Sequence, residues 1–276
     1  MDTFTKLHNR TSTRFLLKFL AYFLDKNVRN ITTRLMNFRN QYLGKRCFIM
    51  GNGPSINLMN LNRLGNEFVW SSNRAYLLFP KLSWRPSFYT AVDTRVVPDI
   101  ATDLDNIINI LPDTCFFFPV GFRERYILRS KENIYWFNEV PLRDNDLSIT
   151  MFSDNAAKWV SGVRTVTISA LQLAVYFGFN PIYLIGCDTF YSIPKSIQHE
   201  NENSDLLIST EDDDPNHFLP NYFGKGKKWH NPHVDRMIIH YQHAKLFCDQ
   251  SGIKIFNATV GGKLEVFPRV NYEDLF

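Results

Sequence analysis

The sequence predicts an α/β fold: a single Rossmann-like, doubly wound, mostly parallel sheet with a lid insertion and an N-terminal helical arm. Three observations predict it. Short runs that are apolar throughout, rather than alternating, are separated by turns and helical patterns, as in a parallel sheet covered on both faces. A glycine-rich turn, Gly51-Asn52-Gly53-Pro54-Ser55, directly follows the first of these runs. Polar residues then stand where later runs end, and open α/β sheets bind their ligands at those carboxyl ends.

The arm comprises residues 1–45, and the remaining residues 46–276 form the Rossmann-like domain. In the arm, Phe15, Leu16, Phe19, Leu20, Phe23 and Leu24 recur at helical spacing, with Val28, Ile31, Leu35 and Met36 after them. Lys and Arg are interspersed among them. Two readings follow: a helix packed on the core or on another subunit of a homo-oligomer, or a basic amphipathic helix on an anionic membrane surface through residues 14–39. From Arg46 onward the expected strands are Arg46–Met50, Phe68–Ser72, Ser87–Val92, Thr114–Pro119, Ile134–Phe137, Ile182–Gly186 and Lys254–Asn257. A helix is expected over Val166–Phe177, ended by Gly178, and another from about Pro232 to Gln250, closing at Gly252. Residues of about 189–231 are polar and turn-rich, too long for a plain connection, and are expected to cover a substrate.

Composition narrows the function classes. The 276 residues are 45% hydrophobic and 15% aromatic, ample for one sizeable core. Lys and Arg number 31 against 27 Asp and Glu, a balance too mild to argue for nucleic acid. The four cysteines, Cys47, Cys115, Cys187 and Cys248, contain no CxxC pair and read as reduced thiols of a cytoplasmic protein. The most apolar segment, Phe15 to Leu24, is interrupted by Lys18 and falls short of the ~20 residues that span a bilayer. A cytoplasmic location, with peripheral contact at the inner face of the membrane, is expected.

The chemistry gathers at three places. Glycines in the Gly51–Ser55 turn allow close backbone approach, amides at a helix start favour anions, Pro54 suits a first helical position and Ser55 adds a hydroxyl. The turn is neither GxGxxG nor a Walker loop. Asn73, Asp93 and Asp188 follow three of the expected strands, where they either cap local structure or converge on the turn. In the lid, a histidine can serve as a general base near neutral pH. Asp212, Asp214, His217, His230 and His233 match no compact metal-ligand spacing. Lys225, Lys227 and Lys228 either neutralise phosphate charge or solvate the loop. No GxSxG or reactive-cysteine setting is present.

The segments Phe48–Ser55, Ser72-Asn73-Arg74, Ala170–Ala174 and Ile182–Asp188 resemble the domain family that includes archaeal hydroxymethylpterin diphosphokinase-like proteins and the flagellin-glycosylation motility accessory factors. Asp214–Phe218, Phe223–Gly226, Trp229-His230 and Asn257–Arg269 look like its bacterial cell-surface-polysaccharide branch. The order of elements over residues 46–262 is also similar to glycosyltransferase family 42, the sialyltransferases of bacterial surface glycans. That resemblance implies that Gly51, Asn52, Gly53, Pro54, Ser55, Asn73 and Asp93 hold the nucleotide; the family tends to have Asn where Asp93 stands. It implies His217 as base, with Tyr191 and Tyr222 supporting the departing phosphate without a metal. Thr165 and Thr167 open the central helix where the family has small hydroxyl residues, and Asp188 is the strand-end aspartate.

The implied function is transfer, with inversion, of a sialic-acid-like sugar from a CMP-linked or other nucleotide donor to a cell-surface glycan. No cofactor is then required. Two alternatives remain. One is diphosphate transfer from ATP to a hydroxymethyl pterin, which needs Mg²⁺ on carboxylates such as Asp93, Asp188 and Asp212–Asp214. The other is a non-catalytic nucleotide-binding assembly protein.

Overall fold

The computed structural model describes residues 31–125, 131–141, 152–162, 165–200 and 205–276. All seven expected strands form, and they make one sheet. In chain order they are β1 (Cys47–Met50), β2 (Phe68–Ser72), β3 (Phe88–Thr90), β4 (Cys115–Pro119), β5 (Ile134–Phe137), β8 (Ile182–Ile185) and β12 (Ile255–Asn257). A parallel pair, β6 (Glu139–Pro141) and β7 (Val160–Gly162), forms a separate ribbon between them.

Every pairing in the large sheet is parallel, and the order is β12-β8-β1-β2-β3-β4-β5. The chain winds outward from β1 through β5, then returns to lay β8 on the other side of β1. The switch point therefore falls between β1 and β8, and a crevice opens at their carboxyl ends.

Alternate residues explain why these strands read as continuous apolar runs. Phe48 and Met50 of β1 join one core with Val69, Tyr89, Phe116 and Phe118. Cys47 and Ile49 join the opposite core with Trp70, Phe88 and Phe117. Both faces are buried, so the period of two leaves no polar trace.

Helix α1 (Val96–Ile110) covers the first face through Val96, Val97, Ile100, Leu104, Ile107 and Ile108. Helices α2 (Val166–Phe177) and α3 (Val234–Gln250) belong to the second. Every residue of α2 from Thr167 to Phe177 is buried, as in a helix enclosed on all sides. It starts on Thr165, whose hydroxyl accepts the Thr167 amide at 3.3 Å, and stops at Gly178, whose φ of +89° closes the last turn. Gln172, wholly buried, ties α2 to the β7 segment: its Oε1 accepts the Ser153 and Ser161 amides and the Ser161 hydroxyl.

Three features differ from the sequence expectation. Helix α1 was not anticipated. The lid contains a small antiparallel sheet of β9 (Gln198–His199), β10 (Leu206–Ile208) and β11 (Lys228–His230), in the order β11-β10-β9. The described part of the arm is a short 3₁₀ helix, Thr33–Phe38, rather than a continuing amphipathic helix. It packs inward: Leu35 and Phe38 are buried, and the Arg34 guanidinium lies over the Tyr135 ring and donates to the Ile134 carbonyl. Leu35 and Phe38 thus face the body while Met36 is exposed, and Phe15–Leu24 lies outside the described residues. Among the described residues no helix is long and apolar enough to cross a membrane.

Candidate functional site

The crevice at the switch point holds a cleft of about 410 Å³. Gly51, Asn52, Gly53, Asn73, Asp93, Thr165, Thr167, Asp188, Tyr191, His217 and Tyr222 all line it. Pro54 and Ser55 sit beneath, where Pro54 opens a 3₁₀ helix, Pro54–Leu58. Residues spread over more than 170 positions of sequence are thereby brought to one place.

The glycines of the turn serve a different contact from the expected phosphate cradle. The Gly51 amide donates to the Ile185 carbonyl at 2.8 Å, and the Gly53 amide donates to the Gly186 carbonyl at 3.0 Å. Ser55 donates its hydroxyl to Asp188 Oδ2 at 2.7 Å and its amide to Asp188 Oδ1 at 3.3 Å. A Cβ on Gly51 would stand 2.4 Å from the Gly186 oxygen, and one on Gly53 would stand 1.8 Å from Asp188 Oδ2. The glycines let the β1 and β8 loops touch backbone to backbone. The amides of Gly53 and Ser55 are therefore committed inside the protein, and Pro54 has none. Of the turn's amides from Gly53 to Ser55, none is left to meet an anion.

Asp188 is in turn held from its other side, where the Lys263 amide donates to its carbonyl at 2.7 Å. Burial pushes its carboxyl above the ordinary carboxylate range, with Ser55 and the nearby His217 pulling it back. Asp188 acts as a half-buried strut between the two loops.

Asn52 and Asn73 present unpartnered groups. Asn52 Nδ2 donates to the Ser72 carbonyl at 3.2 Å, while its Oδ1 is buried without a partner. Asn73, held at φ +52°, likewise has a buried Oδ1 without a partner. Two buried amide oxygens bordering a cleft call for donors from a ligand, such as sugar hydroxyls or a base amino group.

Asp93 does cap local structure. Its Oδ1 accepts the amides of Arg95 at 2.6 Å and Val96 at 3.2 Å, which fixes the start of α1. Its Oδ2 lies 3.4 Å from His230 Nδ1. Burial opposes its charge, but His230 and the two amides outweigh burial and hold the carboxyl below its ordinary value. The partnership with His230 was not anticipated, because it crosses from β3 to the lid.

His217 is the most constrained polar group of the lid. Its Nδ1 lies 2.8 Å from Asp214 Oδ2, and its side chain is 12% exposed. Asp214 is itself fixed, accepting the Asn216 amide at 2.9 Å and the Phe223 amide at 3.2 Å. The ring stacks flat on Tyr222, with centroids 4.0 Å apart and planes 1° apart. Next to it, the Phe218 amide donates to the Asn52 carbonyl at 3.0 Å, and Asn57 Nδ2 donates to the Phe218 carbonyl at 2.8 Å. The lid segment carrying His217 is thereby docked on the β1 turn. Because the Asp214 carboxylate is an acceptor, Nδ1 carries the proton and Nε2 is left as the basic nitrogen. Asp214 had been weighed only as a metal ligand; its orienting role is the feature the sequence concealed.

The two tyrosines divide. Tyr191 lines the cleft edge-on to His217, at 6.3 Å between ring centroids. Tyr222 is 1% exposed, its hydroxyl accepts the Arg74 amide at 3.3 Å, and the Arg74 guanidinium donates to its carbonyl. It is a platform beneath His217, not the phosphate-facing hydroxyl expected. Burial raises the pKa of both phenols far above the ordinary value, so both stay protonated. The lid lysines face elsewhere: Lys228 pairs with Glu200 at 3.1 Å and Lys227 approaches Asp99 at 4.0 Å. Among the described residues no group of three or more His, Cys, Asp or Glu is placed to hold a metal ion.

Among solved structures, the chain is similar to the MAf glycosyltransferase from Magnetospirillum magneticum AMB-1, at 15% identity and a TM-score of 0.50. The match covers 91% of this chain but 39% of that protein, so the chain spans about two-fifths of that relative's length. It is also similar to the sialyltransferase CstII from Campylobacter jejuni, solved with cytidine-5′-monophosphate, at 14% identity and a TM-score of 0.45, covering 83% of this chain and 85% of that one. At these identities the likeness to the MAf protein speaks for the fold. No curated protein sequence matches the chain. Residues 23–194, more than half of the 276, match one family model, and on that match the chain belongs to the MptE-like family, described as 6-hydroxymethylpterin diphosphokinase MptE-like.

Proposed function

We propose that the chain transfers a sugar from a nucleotide donor to a glycan hydroxyl, with His217 as general base. The observation that carries this reading is the Asp214–His217 pair, 2.8 Å apart and aimed at the switch-point cleft. The carboxylate fixes the tautomer, leaving Nε2 to take the acceptor's proton as its oxygen attacks the anomeric carbon. Such catalysis contributes ~10²–10⁴-fold. A single displacement inverts the anomeric centre. Tyr191, kept protonated by burial, is the hydroxyl best placed to hydrogen-bond a departing group. Asn52 Oδ1 and Asn73 Oδ1 are the acceptors for the nucleoside. The resemblance of the Gly51–Ser55 turn makes a CMP-linked sugar the first donor to test, and a cell-surface glycan the first acceptor.

A second reading rests on the family match over residues 23–194: pyrophosphoryl transfer to a pterin. That chemistry needs Mg²⁺, and the described carboxylates do not fit it as a set. Asp188 is bound by Ser55, Asp93 Oδ1 by the start of α1, Asp212 by the Lys225 amide and Asp213 by the Ser196 hydroxyl.

One experiment separates the readings. The protein is incubated with CMP-, UDP- and GDP-linked sugars, with and without EDTA, and released nucleotide is measured for the wild type and for His217→Ala. Release that survives EDTA, and is lost in His217→Ala while nucleotide still raises the melting temperature, supports the transferase. A ligand at 100 times its dissociation constant stabilises by about 2.7 kcal/mol, enough to see. Full release from His217→Ala refutes the base assignment, and in a parallel incubation with ATP and a hydroxymethyl pterin, ATP consumption that needs Mg²⁺ supports the second reading.

A further inference from the structure

The cleft has a second histidine–carboxylate pair. His230 ends β11, its side chain is 39% exposed, and it lines the same cleft as His217. Its Nδ1 lies 3.4 Å from Asp93 Oδ2, so the other ring nitrogen is free to meet a ligand. The two pairs are not equivalent. His217 is nearly enclosed, stacked on Tyr222 and suited to accept a proton. His230 is more open and sits against a carboxylate whose second oxygen is fixed by two helix amides.

The described lining of the cleft includes the carboxylates Asp93, Glu139 and Asp188 but no lysine or arginine. The turn amides of Gly53 and Ser55 are committed to Gly186 and Asp188. Among the described lining residues, the side chains able to carry positive charge are the imidazoles of His217 and His230. On the segment carrying His230, Lys228 pairs with Glu200, Lys227 with Asp99, and His233 with Asp205 at 3.1 Å.

We propose that His230, protonated and held by Asp93, binds the phosphate of the nucleotide and balances the charge it acquires on leaving. The proposal rests on the transferase reading and assigns to that site the group that meets the leaving phosphate. In the transfer step the acceptor oxygen bonds to the anomeric carbon and its proton passes to His217 Nε2. The carbon–oxygen bond to phosphate breaks, and its electron pair stays on the phosphate. His230 keeps its proton and donates a hydrogen bond to that oxygen.

The test is calorimetric titration of cytidine 5′-monophosphate, with cytidine as the phosphate-free control, into wild type and His230→Gln between pH 5.5 and 8.5. The ratio of the two proteins' affinities is read, because the nucleotide's own titration cancels in it. The expected ratio is about tenfold in favour of wild type at pH 5.5 and falls towards one by pH 8.5, the range over which histidine side chains change charge. For cytidine the ratio stays near one throughout. Asp93→Asn, which retains an acceptor for α1, is expected to weaken nucleotide binding at pH 5.5 in the same direction, and cooperative thermal unfolding of each variant above the titration temperature shows that both fold. A ratio near one at every pH, or the same ratio for cytidine, overturns the proposal and leaves the transferase reading standing. A wild type that binds neither cytidine, uridine nor adenosine nucleotides overturns both.

Discussion

Gly53→Ala tests the contact between the β1 and β8 loops. The new methyl would stand 1.8 Å from Asp188 Oδ2 and 2.8 Å from the Gly186 carbonyl oxygen, so the aspartate must move. Moving it breaks the bonds to Ser55 Oγ at 2.7 Å and to the Ser55 amide at 3.3 Å. Overpacking costs about 1–3 kcal/mol, and losing a hydrogen bond to a carboxylate adds about 1.5–3 kcal/mol. The sum is about 3–6 kcal/mol, which at ~2 °C per kcal/mol for a chain of this size lowers the melting temperature by roughly 6–12 °C. The assay is thermal unfolding of wild type, Gly53→Ala, Asp188→Ala and the double variant. In the cycle, Gly53→Ala costs markedly less when Asp188 is already alanine, because the nearest clashing atoms are gone; coupling of contacting residues is ~0.5–3 kcal/mol. A single variant melting within ~2 °C of wild type, or a cycle with no coupling, refutes the claim that the glycine exists to admit Asp188.

Three further outcomes are expected. Asp214→Asn leaves nucleotide affinity unchanged but lowers turnover ~10²–10⁴-fold, because the imidazole is no longer held with Nε2 basic; equal turnover refutes the orienting role. Asp93 has a folded pKa below its unfolded value, so its contribution to stability is present above the ordinary carboxylate pKa and is lost as pH falls through the folded one. The stability difference between wild type and Asp93→Asn, from urea unfolding, should therefore shrink between pH 6 and pH 3. Burial pushes the Cys187 and Cys248 thiols to about 12. A thiol reagent at pH 8 should leave both unmodified in the native protein and titrate all four cysteines in denaturant; rapid native labelling of Cys187 refutes the packing described around it.

The large sheet was legible because strands buried on both faces leave apolar runs, and each of its seven strands falls within its expected segment. Helix α2 was equally plain, with Thr165 at one end and Gly178 at the other. Helix α1 carries a legible stripe, Val96, Val97, Ile100, Leu104, Ile107 and Ile108, that Pro98 disguises; proline is tolerated in a first helical turn. The lid strands are two or three residues long, too short to show alternation. Site residues at strand ends could be placed because topology dictates where strand ends meet. Their partners could not. Ser55 and Asp188 are 133 positions apart, and nothing in the run Asp212-Asp213-Asp214 distinguishes the one that turns inward to His217.

The bond from the Phe218 amide to the Asn52 carbonyl has a bearing on how such proteins diversify. It ties the segment carrying His217 to the body of the domain at a point outside the small sheet of β9, β10 and β11. Changes of length in the connections of that sheet can therefore accumulate without shifting His217 relative to the turn below it.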